Sequence, residues 1–470
     1  MNILVTAVLL ILILLFAAPK TALGESPSIV SADDIMVKIK LGLPVEYDKV
    51  AIKGNLTSDK LGMTAKQILR IPFEVKMPAS DGPMQANSSI VIKNSIIYGR
   101  VDFYNTQFHK PVIFKNTFFI ENVSFENSTF EEDAAFAHCM FMKTASFAGS
   151  RFSDKVNFLQ TYFNDSSSFS GTQFSKIADF SHARFYCDVQ FASSQFASDA
   201  DFGETDFRGR ANFIGSLFGQ AAIFNKTKFE KETSFEKVNF AGSVKFLRPF
   251  FNSTADFISA QFSKDACFNE AQFIGQAFFT GSRFSDLAEF RDCHFPAGVE
   301  FNESDFGIDA TFFNTSFGQR ADFTASNFLG FADFCGSNFA CDADFGNCGF
   351  RGPADFSRST FSEKIDLHDV QFRKNVHFES SKINEINLTR ARYVWLFLKW
   401  DSINHLEFDD GAYQTLIDNY KKLQWQTDSS DCSSTYLEAI VQAAPNDSHL
   451  WIINGIRSIV LGANSSSFSA

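Results

Sequence analysis

From Phe103 to Phe378 a large apolar residue returns after five positions, then six, then five again. Stepping by 11 from Phe103 to Phe378 meets Phe at 25 of 26 positions, the exception being Leu367. Stepping by 11 from Phe108 to Ile383 also gives 25 of 26, with Ile383 the exception. Ile92 and Ile97 carry the register one step back, and Leu388, one residue early, ends it. Two residues before each Phe stands a small or β-branched residue. Six-residue units place Val112, Val123, Ala134 and Ala145 there; five-residue units place Ser128, Cys139, Thr161 and Thr172. The residue between the two is mostly polar, as in Ala178-Asp179-Phe180. Residues i−2 and i lie on one side of an extended chain, so each unit points one small and one large residue inward and a polar one outward. A helix would space its apolar residues by three and four, and a long strand would alternate throughout. Steps of five and six predict very short strands separated by corners, in a chain that coils and stacks on itself: an all-β solenoid.

A solenoid needs protected ends. Ser31 to Leu41 predicts a short helix, N-capped by Ser31 or Asp33 and ended by Gly42. Residues 49–53 alternate like a strand, and the stretch from Thr57 to Ala86, with Pro72, Pro78 and Pro83, is irregular. Beyond Leu388, Tyr393 to Trp400 is aromatic-rich and suited to covering the open core. Gly411 to Trp425 has helical spacing, and a second helix is expected from Cys432 to Ala444. The expected organisation is a signal segment at 1–24, an N-terminal cap with an insertion at 25–89, the solenoid at 90–388, and a mainly helical C-terminal cap and tail at 389–470.

The unit of small residue, polar residue, Phe and two variable residues appears as Ala-Asp-Phe-Ser-His at 178–182 and Ala-Asp-Phe-Thr-Ala at 321–325. It resembles the pentapeptide-repeat family over roughly residues 90–388. The extra residue in every second unit and the near-exclusive Phe depart from the family pattern. The resemblance implies a right-handed quadrilateral parallel β-helix with small helical caps at both ends. Two five- and two six-residue units make a coil of 22 residues, so the register predicts about 13 coils. Tyr413 to Cys432 also resembles a connector in larger family members that carry an ion-channel-like region. That similarity implies an alternative: the chain as a truncated ectodomain or scaffold of such a membrane protein. Only Leu450 to Ala463, interrupted by Arg457, follows here.

Composition changes the picture in two ways. Sixty Phe in 470 residues are mostly one slot repeated. A net charge of −12 argues against a nucleic-acid-binding surface, which needs clustered cations. Leu4 to Ala18 is apolar apart from Thr6, and small residues at Ala22 and Gly24 precede Glu25. This predicts export through a signal peptide cleaved before Glu25, or an uncleaved anchor that would hold the chain at a membrane. Sequons at Asn122, Asn127, Asn164, Asn225, Asn252, Asn302 and Asn314 all fall outside the inward slots and are glycosylation candidates.

Chemistry-bearing residues are dispersed. No HExxH, GxSxG or phosphate-loop motif occurs, so no enzyme and no cofactor is expected. Cys139, Cys293 and Cys348 take the small inward slot. Cys335, Cys341 and Cys348 fall within one coil, which leaves a disulfide or metal site open beside simple packing. Asp322, Asp344 and Asp366 should form one outward ladder and Asp333 and Asp355 another. Stacked carboxylates are weak Ca²⁺ candidates, or the ordinary solvated polar residue of the motif. The expected function is an exported, non-enzymatic structural rod that presents a binding surface to an undetermined protein or surface partner, secreted or displayed on a cell.

Overall fold

The computed structural model describes residues 27–68 and 82–443. The expected signal segment, Pro72, Pro78 and the segment 450–463 lie outside these residues. The described chain forms a parallel β-solenoid with four faces. One coil shows them in order: Val112–Lys115 on face 1, Phe118–Phe119 on face 2, Val123–Ser124 on face 3 and Thr129–Phe130 on face 4. Each strand pairs in parallel with the strand 22 residues on: Val112 with Ala134, Phe119 with Phe141, Val123 with Ala145 and Phe130 with Phe152. Faces 2 and 3 belong to a 30-stranded sheet, face 1 to a 16-stranded sheet and face 4 to a 14-stranded sheet.

The five–six alternation is an alternation of corners. After the Phe of face 1 or face 3 the chain makes a tight corner, Phe125-Glu126-Asn127-Ser128, in which the Ser128 amide donates to the Phe125 carbonyl at 3.2 Å. The third residue is left-handed. Every eleventh residue from Asn94 to Ser380 has a φ between 49° and 72°, the pattern of a type II turn. Gly occupies only a few of these positions. Asn tolerates the conformation, but Lys226, Arg248 and Glu270 adopt it too, at about 1 kcal/mol or more each. The wide corners need no left-handed residue and take one residue more. The sequence revealed the alternation but not its cause, because the left-handed position carries no consistent residue type.

The small slot of the five-residue units does more than save space. Its hydroxyls donate to the carbonyl of a Phe one coil back: Thr161 to Phe136 at 2.7 Å, Ser194 to Phe169 at 2.6 Å and Ser326 to Phe301 at 2.6 Å. The Cys139 thiol makes the same bond to Phe114 at 3.3 Å. The Phe fill the centre. Every register Phe from Phe103 to Phe361 is at most 1% exposed. Rings one coil apart stack, as Phe213 and Phe235 do at 4.8 Å and 5°, and rings of faces 1 and 3 meet edge to face, as Phe180 and Phe191 do at 5.3 Å and 89°. These are the offset-stacked and perpendicular geometries that the ring quadrupole favours.

The expected coil count is corrected: the solenoid has about 17 turns rather than about 13. The extra turns come from chain flanking the Phe register. Ser28–Ser31 stacks on Val50–Lys53, and Val50–Lys53 in turn lies under Ile96–Ile97, Ala51 pairing with Ile96 across a longer step than the regular 22 residues. At the other end Ile365 pairs with Ile386 and Ile386 with Leu406, one and two residues short of the regular step. These coils use aliphatic residues (Val45, Ile52, Leu56, Ile386, Leu406) in the inward slots, so a register defined by Phe stops too early.

Helices lie near both ends. Ala32–Lys40 buries Ala32, Ile35, Met36 and Ile39, and the Ser31 hydroxyl accepts the Asp33 amide at 3.2 Å. Asp410–Lys422 buries Tyr413, Leu416 and Tyr420 and is followed by a second helix, Gln426–Ala443. Asn419 accepts from the Leu396 amide at 3.2 Å and donates to its carbonyl at 2.8 Å, so one side-chain amide stands in for the next strand of face 1.

Candidate functional site

With the interior occupied by ring stacks, functional chemistry falls to the outward residues. The predicted acidic ladder exists: Asp322 pairs in register with Asp344, and Asp344 with Asp366, on face 3. On face 1, Asp333 pairs with Asp355. Arg320 lies 3.3 Å from Asp322 and 2.8 Å from Asp344; Asp366 contacts His368 at 2.9 Å and Lys364 at 3.7 Å. The carboxylates have a second employment. Each accepts the amide two residues on: Asp322 from Thr324 at 2.9 Å, Asp344 from Gly346 at 3.0 Å, Asp355 from Ser357 at 2.8 Å and Asp366 from His368 at 3.0 Å. These are Asx turns that brace the tight corner from outside, which gives Asp a structural reason to recur in this slot.

Electrostatics follows the contacts. Glu300, at the foot of the ladder, is pushed above the usual carboxylate range by burial and by Asp322. Burial opposes ionisation of Asp366, but the His368 amide and imidazole outweigh it and hold this carboxyl below its ordinary value. Among the described residues, two groups offer ligand atoms within 4.8 Å of one another: Asp344 with Asp366 and His368, and Asp333 with Cys335 and Asp355. Asp322 joins neither. Sequence reasoning missed His368 and Cys335 as neighbours of the ladders; the 22-residue step identifies them once the tight corner is known to follow face 3 and face 1. Cys335, Cys341 and Cys348 are free thiols on three different columns. Cys348 donates inward to the Phe323 carbonyl at 2.9 Å, and Arg358 donates to Cys335 at 2.9 Å. Burial pushes the Cys139 thiol up to about 12, in keeping with a packing role.

A family model described as pentapeptide repeats (9 copies) matches residues 92–140, 103–151, 136–184, 147–195, 169–217 and 257–305. The chain carries pentapeptide repeats over residues 92–217 and 257–305. No curated protein and no solved structure matches it. The pentapeptide frame places the seven candidate sequons on corners. Asn122, Asn127, Asn252 and Asn314 are exposed, and Asn164, Asn225 and Asn302 are half-buried. Several are tied into inter-coil contacts: the Asn314 amide donates to Asp292 at 2.6 Å, and Asn302 accepts from Thr280 at 2.7 Å. Among the described residues no helix is long and apolar enough to cross a membrane.

Proposed function

We propose that this pentapeptide-repeat protein is an exported, non-enzymatic rod whose outward columns form a binding surface. The observation that carries the reading is the separation of roles along the repeat. Inward slots repeat nearly without change, while outward slots change column by column. The coils from Ile90 to Ser381 hold their step without side loops, so no wall rises from the surface to enclose a substrate. Export rests on the apolar Leu4–Ala18 run and on the seven sequon asparagines between Phe103 and Phe378, none of which takes an inward slot. The segment 450–463, on which the channel-ectodomain alternative turns, lies outside the described residues.

Expression of the full chain in a secreting eukaryotic cell tests the reading. The expected result is protein in the medium or on the cell surface, beginning at Glu25 or retaining the apolar run, with mass lost on glycosidase treatment at some of the seven asparagines. Retention in the cytosol, unglycosylated, overturns export.

A further inference from the structure

The outward residues of face 2 change character along the rod. In register order they run Ile29, Ala51, Ile96, Phe118, Met140 and Tyr162. The column then turns polar at Arg184, whose guanidinium lies 5.4 Å from the Tyr162 ring centroid. The wide corner beside it carries a second apolar column, Tyr98, Ile120, Met142 and, two coils on, Tyr186, with Arg208 at 4.7 Å over the last ring. Ile29 is 66% and Tyr98 48% exposed; the others are partly exposed, and only Ala51 is covered. The tight corner on the other side presents Lys49, Lys93 and Lys115, all exposed, with Lys53 and Lys143 exposed nearby. The neighbouring acids Glu46, Asp48, Glu121 and Asp165 are fewer, in a chain whose net charge is −12.

Nothing in the repeat requires this stripe. Beyond Arg184 the same column reads Asp206, Lys228, Phe250, Gln272, His294, Ser316 and Asn338, so a lone Phe250 interrupts a polar run and no second apolar strip forms. A contiguous exposed apolar strip marks an interaction surface. At ~4.8 Å per coil this one is roughly 25 Å long. Lys is depleted at protein–protein interfaces, whereas apolar and aromatic residues rimmed by Lys match an anionic lipid surface, where the apolar side chains enter the headgroup boundary and the ammonium groups meet phosphates. The stripe also starts in the first coil, ten residues after the apolar run Leu4–Ala18. We infer that the N-terminal coils dock sideways on an anionic lipid surface through the Ile29–Tyr162 stripe and its lysine rim. This rests on the interaction-rod reading and names its partner.

The test uses the full chain with vesicles of phosphatidylcholine, with or without phosphatidylglycerol, carrying brominated acyl chains. Trp introduced by Tyr162→Trp should be quenched by the brominated lipid, and Trp introduced by His294→Trp should not. Phe118→Gln combined with Met140→Gln should lower flotation with anionic vesicles tenfold or more, Ser316→Gln should leave it unchanged, and all variants should keep the parent melting temperature because these side chains point outward and add no stacked charge. Flotation that survives the double variant, with no quenching at position 162, means attachment through the N-terminal run alone and overturns the inference. Equal binding to phosphatidylcholine alone overturns the role of the lysine rim. A stripe that binds no vesicle but captures a protein partner overturns lipid docking and leaves the interaction rod standing; loss of both removes both.

Discussion

The first coils and the last coils share one interior and wear different exteriors. Inside, Phe125 stacks on Phe147 at 5.5 Å, and Phe323 on Phe345 at 4.8 Å. Outside, the early coils present Ile96, Phe118, Met140 and Tyr162 between lysines, and the late ones present Asp322 and Asp344 bridged by Arg320 and Asp366 beside Lys364 and His368. The difference teaches where selection can act in such a fold. A coil stacks only on its neighbours, so an inward change is felt by the coils above and below, while an outward change is nearly free. Charge and apolarity can therefore be graded along the rod without disturbing the stack.

The largest expected effect probes the shared interior. Phe125→Ala and Phe345→Ala should each cost about 3–5 kcal/mol, because a fully buried ring is lost and its neighbours in the column cannot close the gap. Phe235→Ala in the middle should cost as much. Chemical denaturation of the three variants measures this. A cost below ~1 kcal/mol at one end would mean that the two interiors are not equivalent.

Next in size are the inner hydroxyls. Ser194→Ala in the earlier half removes a buried hydrogen bond to a Phe carbonyl, and Ser326→Ala in the later half removes that bond and the one its hydroxyl accepts from the Ser304 amide at 3.1 Å; each is expected to cost about 1–2 kcal/mol, Ser326→Ala the more. Ala already occupies this slot at Ala183, so the fold tolerates the loss. Ser326→Cys should recover part of the cost, since Cys139 and Cys348 make the same bond.

These two interactions show how much was legible beforehand. The ring columns were readable because one residue type marks one slot without insertion. The hydroxyl ladder was half readable. Ser, Thr and Cys crowd the five-residue slot while Ala and Val crowd the six-residue one, yet only the turn geometry says that a carbonyl waits for them. The left-handed corner was not readable, because backbone hydrogen bonds hold it whatever the side chain. The aliphatic end coils were missed for a related reason: Ile52 and Ile386 fill the same volume without advertising the register. The acidic ladder was predicted residue by residue, but its Asx turns and its partners Arg320 and His368 needed the corner to be known.

A smaller gain should come from relieving the left-handed corner. Lys226→Asn places a residue that tolerates φ near 54° where a long side chain now does so at a cost. The expected stabilisation is about 0.5–1 kcal/mol, seen as a raised melting temperature. Glu303→Asn in the later coils should give the same gain, since both corners share one geometry.

The smallest effect belongs to the ladder itself. Arg320 is mostly exposed and bridges two half-buried carboxylates, so Arg320→Ala should cost only about 0.3–0.5 kcal/mol at low salt and almost nothing at high salt. Its pH dependence separates two neighbours. Asp366 is held below its ordinary pKa in the folded chain, so its contribution is present above the unfolded carboxylate pKa and fades as pH falls through the lowered value. Glu300 is shifted the other way, so its ionisation disfavours the fold and stability falls as pH rises through its raised value. Asp366→Asn should therefore flatten the acid limb of the melting curve, and Glu300→Gln should raise stability at neutral pH. Arg320→Ala should enlarge the Glu300→Gln gain, because Arg320 is the cation that offsets Asp322 beside Glu300. Face 3 of the early coils has no such ladder, so a double variant there, Ser124→Asp with Ser146→Asp, should create one without a bridging Arg and cost more than the native ladder does. Equal costs would mean that the arginine is incidental and that Asx turns alone sustain the acidic column.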